Sequence, residues 1–338
     1  MSVFKLTVFP ENLKHNFLLM QKTCPTTEIA AVVKANAYGL GFDNVVPPLV
    51  RAGCKTFFVN RLNEGEKVRR LAPDAAVFVL DALIGSDTLQ DYKNLNLTPV
   101  FSTKEALNRY PKEQNIAVRL DTGFNLAGIN AFDSPSVLHA LKGRSVSFLM
   151  SHLSCAERPD NPKNKEQLAL FTKYAAQFPT AKKSLAASFG AALGKEYHFD
   201  MIRAGAALYG STALPGTRSA AALTAKIGWL RWFSAGESIG YNDSFVLQKR
   251  TLVASVLAGS GDGIVHKPGC FVHFKNTLLP VLAPPTTNYL PVDATAAADC
   301  IHIADEVNLF DAFYTPDKLA LDAGMEVGAD VLIRLNSF

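Results

Sequence analysis

A chain of 338 residues, 48% hydrophobic and 19% charged, is globular in composition and too long for one ordinary core, so two domains are expected. A formal charge of only +4, with no basic block interleaved with aromatics, excludes nucleic acid as a partner; EKVRR (66–70), the densest basic cluster, reads as a solvated helix face. The start has no signal-peptide pattern, no apolar run reaches membrane-spanning length, and Cys24, Cys54, Cys155, Cys270 and Cys300 are scattered, so a cytoplasmic protein without membrane contact is expected.

In chain order, short apolar runs recur as EIAAVV (28–33), TFFVN (56–60), AAVFVL (75–80), TPVF (98–101), NIAVRL (115–120), SVSFLM (145–150), KSLAAS (183–188) and HFDMIRA (198–204). Their continuity and their β-branched and aromatic content suit strands buried on both faces. Amphipathic stretches such as RLNEGEKVRRL and NKEQLALFTKYAAQF lie between most of them and predict helices. Eight similar units, with no dinucleotide loop after the first strand, predict a (β/α)8 barrel over residues 1–222 rather than a doubly wound sheet. From residue 223 to 338 the texture changes. TLVASVLA, CFVHF, CIHIA and DVLIRL read as short strands between Gly, Pro, Asn and Asp turns, which predicts a C-terminal all-β domain.

Barrel enzymes carry their reactive groups where strands end. That rule selects Lys34 after the first run, Arg119 and Asp121 at the fifth, His152 at the sixth, Ser188 at the seventh and Arg203 at the eighth. The last two loops offer Ser188 with Gly190, and RAGAALYG with Gly205, where bare backbone N–H groups can approach a phosphate. A strand-end lysine opposite such a cup suits pyridoxal phosphate, which needs a lysine for its Schiff base, an anion site and a partner for its pyridine nitrogen. Arg203 is placed to be that partner, keeping the nitrogen unprotonated and steering the chemistry toward proton transfer at Cα. Lys34 is expected to lose its proton more easily than in water, beside Arg203 and a buried ring. Singly, each residue has a duller reading: His152 as a core histidine, Ser188 as a helix cap, Tyr38 as a loop aromatic, Tyr241 as a turn residue. Their ordered co-occurrence outweighs those readings.

AVVKANAYGLG, RLDTGFNLAGI, LMSHLSCAE, FDMIRAGAALYG and ESIGYNDSF resemble, in this order and over nearly the full length, the motif blocks of the alanine racemase family of barrel-type pyridoxal-phosphate enzymes. The resemblance implies a racemase that interconverts L- and D-alanine, or a related small amino acid, by two-base proton transfer in a homodimer with composite sites. It implies that Lys34 carries the cofactor and is the base on the D face, and that Tyr241 reaches in from the partner as the base on the L face. Tyr38, Ser188, Gly205 and Ala206 would hold the phosphate, His152 would lie against the ring, and Arg203 would meet the pyridine nitrogen.

The chain departs from the family on the substrate side. Leu126 stands where the family has an arginine that meets the substrate carboxylate, and Arg119 where it often has a carboxylated lysine. Strand alternation puts Arg119 and Asp121 on one face, so Arg119 is a candidate to replace the lost charge. Ser260 in GSGDG (259–263) stands for a tyrosine, and Thr287 and Asn288 for a methionine and an aspartate. AGMEVGAD (323–330) lacks a tyrosine that helps bind phosphate. Arg119, Leu126 and Thr287 are therefore the substrate-side candidates. Two rival readings remain: a metal-assisted pyridoxal-phosphate lyase of D-hydroxy amino acids, and a cofactor-binding protein with weak or no activity. For the first, Cys300 and His302 stand two apart on a predicted strand and would face one way as half of a metal site; no metal site is assigned.

Overall fold

The computed structural model describes residues 3–83, 85–112, 114–211 and 214–335. It opens with a strand the sequence reading did not single out, β1 (Phe4–Val8), followed by a helix over Pro10–Thr23. The eight apolar runs then become β2 (Glu28–Val32), β3 (Thr56–Val59), β4 (Ala76–Val79), β5 (Thr98–Phe101), β6 (Ile116–Asp121), β8 (Val146–Met150), β9 (Lys182–Ser184) and β10 (Met201–Ala204), with a two-residue β7 (Ile129–Asn130) on the flank of β6. They pair in parallel in the order β10-β2-β3-β4-β5-β6-β8-β9. A parallel bridge between Ala187 and Arg203, where Arg203 N–H donates to the Ala186 carbonyl at 3.1 Å, joins the two ends and closes the barrel.

The interior is filled by Ala30, Val32, Phe58, Leu80, Val100, Ala117, Phe148, Met150 and Met201. Phe58 stacks on Phe78 at 4.8 Å, and Phe78 meets Phe148 at 4.9 Å. This apolar plug matters for chemistry because strand side chains alternate faces. The residue two beyond each inward position points inward again, and there the apolar run stops: Lys34 after Val32, Asn60 after Phe58, Arg119 after Ala117, His152 after Met150, Arg203 after Met201. All five line one cavity.

Helices over Phe42–Arg51, Leu62–Leu71 and Pro162–Ala175 are among those that follow barrel strands. After β10 comes only a 3-10 turn, Ala206–Tyr209, and the first helix of the chain packs against it. Asn16, fully buried on that helix, donates to the Leu208 and Arg218 carbonyls at 2.9 and 2.8 Å and accepts from Arg218 N–H at 2.8 Å. The basic cluster at 66–70 is more than a solvated face. Arg69 donates to the carbonyls of Ala72, Pro73, Ala75, Leu95 and Asn96, satisfying the end of its own helix and the next connection.

The second part consists of β11 (Ala221–Phe233), β12 (Ser238–Ile239), β13 (Phe245–Val246), β14 (Thr251–Val256), β15 (Phe271–Phe274), β16 (Thr277–Pro280), β17 (Leu290–Asp293) and β18 (Glu306–Phe310). An antiparallel sheet runs β16-β15-β18-β11-β14-β17, and β1 joins it along β11, from Phe4 opposite Ala225 to Val8 opposite Ala221. Two predicted strands fail. DVLIRL lies in a helix, Gly328–Ile333, and its neighbourhood buries Ala329, Val331, Leu332 and Leu335, three and four apart as a helix requires. CIHIA is a turn leading into β18, closed by His302 N–H donating to Asp305 Oδ2 at 2.8 Å. Cys300 and His302 therefore do not share a strand face, and the half-site argued from that spacing loses its basis. Among the described residues no group of three or more His, Cys, Asp or Glu could hold a metal ion, and no helix is long and apolar enough to cross a membrane.

Candidate active site

Lys34, Tyr38, Arg119, His152, Ser188, Arg203, Gly205 and Ala206 line one cavity of about 410 Å³ at the strand ends. The turn that delivers Lys34 is strained. Ala35, Asn36 and Ala37 sit at φ 53–54° and ψ 48–52°, and Tyr38 at φ 56°, a left-handed turn made without glycine. Each such residue costs about 1–2 kcal/mol, so four cost roughly as much as the lower end of a domain's whole stability. The surroundings must over-determine it. Ala37 N–H donates to Val33 O and Gly39 N–H to Ala35 O, both at 2.9 Å. Glu64 accepts from Ala35 N–H at 2.7 Å and Asn60 N–H at 2.8 Å, and the Tyr38 ring packs on Tyr209 at 4.6 Å. Gly39 (φ 82°) ends the turn against the helix Gly328–Ile333, where a Cβ would stand 2.2 Å from the Leu332 carbonyl oxygen.

Burial first, and then the Arg119 charge, push the Lys34 ammonium below its ordinary value, against the pull of Asp81, Glu64 and Asp330. The cation acting on Lys34 is therefore Arg119 rather than Arg203. Arg203 is buried and committed: its Nη1 donates to the Ser184 carbonyl at 2.9 Å and to Ser184 Oγ, its Nη2 to the carbonyls of Ser151 and Leu185. Burial and Arg119 bring it down to about 9, so it stays charged at neutral pH. Its Nη2 also faces His152 Nδ1 at 3.4 Å, which leaves the imidazole proton on Nε2. Burial, followed by Arg203, Arg119 and Lys34, lowers His152 to about 3 and keeps the ring neutral.

The opposite wall is a cup. Ser188 Oγ accepts from Gly205 N–H at 3.0 Å and Ala207 N–H at 3.1 Å, and a hydroxyl that accepts twice still has its own proton to give. A Cβ on Gly205 would lie 2.6 Å from Tyr38 Oη, so the glycine keeps phenol and backbone in contact. Gly190 lies outside the lining and starts a 3-10 turn. Hydroxyls, a glycine cradle, a fixed arginine and a lysine with a weakened ammonium fit the donor needs of pyridoxal phosphate. Gly205→Ala is expected to weaken its binding about tenfold or more, read by titrating the visible absorbance, while leaving thermal stability of the cofactor-free chain little changed.

A family model described as "Alanine racemase, N-terminal domain" matches residues 8–213, and one described as "Alanine racemase, C-terminal domain" matches 220–336. The chain belongs to the alanine racemase family. Among its relatives, alanine racemase of Rickettsia peacockii (strain Rustic) is 32% identical over 353 residues, covering 100% of this chain and 98% of the relative. The biosynthetic alanine racemase of Agrobacterium fabrum (strain C58 / ATCC 33970) is 32% identical, covering 98% and 91%. A crystal structure of alanine racemase from Bartonella henselae with covalently bound pyridoxal phosphate matches with a TM-score of 0.91 at 25% identity, covering 99% of this chain and 98% of that one.

In this member of the alanine racemase family, the substrate-side candidates fall in two places. Arg119 is inside the cavity, its Nε buried without a hydrogen-bond partner and its guanidinium carbon 5.7 Å from the Phe124 ring centroid. It does not brace Asp121, whose Oδ1 instead accepts the N–H groups of Gly123, Phe124 and Asn125 at 2.9–3.0 Å. Leu126, Tyr241 and Thr287 are not part of the lining. Leu126 is 81% and Tyr241 73% exposed, and Thr287 is exposed as well. The loops that carry Ser260 and Thr287 touch each other: Ser260 N–H donates to Thr286 O at 2.9 Å and Gly261 N–H to Thr287 O at 3.0 Å. Gly240, beside Tyr241, packs near Ala283 at the head of the same loop.

Asn60, Asp81 and Asp330 also line the cavity and were not singled out from the sequence. Asn60 closes TFFVN and Asp81 directly follows AAVFVL, so the strand-end rule could have found both. Asp330 arrives from a helix far along the chain, and no local pattern announces it.

Proposed function

We propose that this protein is a pyridoxal-phosphate enzyme that interconverts L- and D-alanine by moving the Cα proton between two bases, Lys34 and the partner's Tyr241. The observation that carries the reading is the convergence of Lys34, Arg203, neutral His152 and the Ser188–Gly205–Tyr38 cup in one cavity. Pyridoxal phosphate, when bound, withdraws electrons from the attached amino acid and acidifies its Cα–H. Tyr38, Ser188, Gly205 and Ala206 hold the phosphate. Lys34 anchors the carbonyl end, and its Nζ, weakened as an ammonium by burial and Arg119, takes or returns the proton on the D face. Arg203, charged and immobilised by carbonyls, denies the pyridine nitrogen a proton and so confines the chemistry to Cα. His152 packs on the ring.

Arg119 receives the substrate carboxylate. An unsatisfied buried donor such as its Nε costs about 1–3 kcal/mol, which an incoming carboxylate recovers. The exposure of Tyr241 and the cluster of its loop with 259–261 and 284–288 support a homodimer in which each subunit completes its neighbour's site. Leu126 and Thr287 are assigned to that shared border. The five cysteines are all free, which supports a reducing, cytoplasmic setting. We place the domain division between 222 and 223, just after the start of β11 at Ala221.

Incubation with a panel of L-amino acids, read by chiral chromatography, is expected to yield D-alanine; no D-product from any member would overturn the reading. Arg119→Ala is expected to lower kcat/KM about a hundredfold, the loss of a charged hydrogen bond of ~3 kcal/mol. A drop in melting temperature with unchanged kinetics would make Arg119 a structural brace instead.

A further inference from the structure

Four carboxylates surround the reactive lysine, and they are not equivalent. Asp81 at the end of β4, Glu64 on Leu62–Leu71 and Asp330 on Gly328–Ile333 all act on Lys34, opposing Arg119 from β6; Glu157 lines the same cavity. The other charged or titratable groups of the lining are Tyr38, His152 and Arg203. Glu64 is occupied by the N–H groups of Ala35, Asn60 and Arg61. Asp330 and Glu157 are exposed, where solvent screens them. Asp81 is half-buried, as Glu64 is, but unlike Glu64 it lines the cavity, and its carboxylate is anchored by another residue of the lining.

That anchor is Asn60. Its side-chain amide donates to Asp81 Oδ2, and Asp81 N–H donates back to the Asn60 carbonyl at 2.9 Å. Asn60 N–H is held by Glu64 Oε2 at 2.8 Å, and Glu64 Oε1 accepts from Ala35 N–H at 2.7 Å. One hydrogen-bonded chain therefore runs from the backbone beside Lys34 to the Asp81 carboxylate. The same carboxylate acts on Arg119, where it and Asp121 oppose the effect of burial. Yet among the described residues no carboxylate comes within the 4.0 Å of an ion pair with Arg119.

We infer that Asp81, held by Asn60, is a positioning residue that serves as the standing counter-charge of Arg119 and Lys34 and sets how strongly the site takes an α-carboxylate. The inference rests on the racemase reading of the cavity. Standing off from the guanidinium, Asp81 offsets its charge without occupying its donors, so Arg119 stays charged and open. The same charge repels an incoming carboxylate. A catalyst that runs in both directions gains from this, since tight binding of substrate and product alike would not speed turnover. Removing the charge should tighten carboxylate binding and disfavour the Lys34 ammonium.

Asp81→Asn in the full-length holoenzyme tests this, because the amide keeps an oxygen for Asn60; the melting temperature checks that the fold is kept. KM for alanine is expected to fall about three- to tenfold. In the cofactor-free full chain, the rate of pyridoxal-phosphate capture should have its acid midpoint at lower pH, since Lys34 without an anionic neighbour loses its proton sooner. Asp81→Glu, which keeps the charge, should restore the wild-type midpoint. An unchanged or raised KM, or an unmoved midpoint, overturns the inference, as does a midpoint that Asp81→Glu shifts as far as Asp81→Asn. If the wild-type chain fails to racemise alanine, the functional reading falls, and the capture midpoint, which requires no racemisation, decides the role of Asp81.

Discussion

Lys34→Ala is expected to lower racemisation by roughly 10⁴-fold or more and to abolish covalent attachment of the cofactor. A positioned general base contributes about 10²–10⁴-fold, and in the proposed function this residue is also the anchor, so both losses fall on one substitution. Lys34 is the one lysine of the cavity lining among the described residues, and no other side chain there can replace its amine. The check is borohydride reduction of the protein loaded with pyridoxal phosphate, followed by peptide mapping. The adduct should sit on Lys34 in the native chain and vanish in the variant. An adduct on another lysine, or a chain that stays colourless with cofactor, would refute the assignment. Because the left-handed turn of Ala35–Tyr38 is held mainly by backbone bonds and Glu64, the variant should melt close to the native protein.

Tyr241→Phe is expected to cost about 10²–10⁴-fold in turnover with little loss of stability, since the side chain is 73% exposed and packs little within its own subunit. The stronger test is complementation. A site is taken to join Lys34 of one subunit with Tyr241 of the other. Mixing Lys34→Ala and Tyr241→Phe chains equally then makes half the dimers mixed, each with one intact site of two. Activity should return to about a quarter of wild type by this symmetry. No recovery despite demonstrated subunit exchange would place both residues in the site of one chain, and a Tyr241→Phe chain that keeps full activity by itself would remove Tyr241 from the chemistry.

The barrel was readable because its strands are buried on both faces, so each left a local apolar run; TPVF, for example, became β5 over Thr98–Phe101, residue for residue. The lysine, the two arginines and the histidine were readable for the same reason, as polar residues ending such runs. Short apolar runs elsewhere misled. DVLIRL carries no periodicity that separates a buried helix from a strand, and what it packs against decided for the helix. CIHIA has the composition of a strand, but the turn closed by Asp305 leaves His302 in solvent.

By itself, then, the sequence determined the order of the barrel strands, the residue at each strand end and the motif order that marks the family, because all three are encoded in neighbouring residues. The tertiary structure decided what depends on distant partners. It paired β1 with β11, more than two hundred residues away, and it held four residues in a left-handed turn that their own preferences oppose. It made Arg119 rather than Arg203 the cation that acts on Lys34 and brought Asp81 and Asp330 to the same cavity. Charges and hydrogen bonds act through space, and no window of local sequence contains the groups that meet only once the barrel closes and the second sheet packs on it.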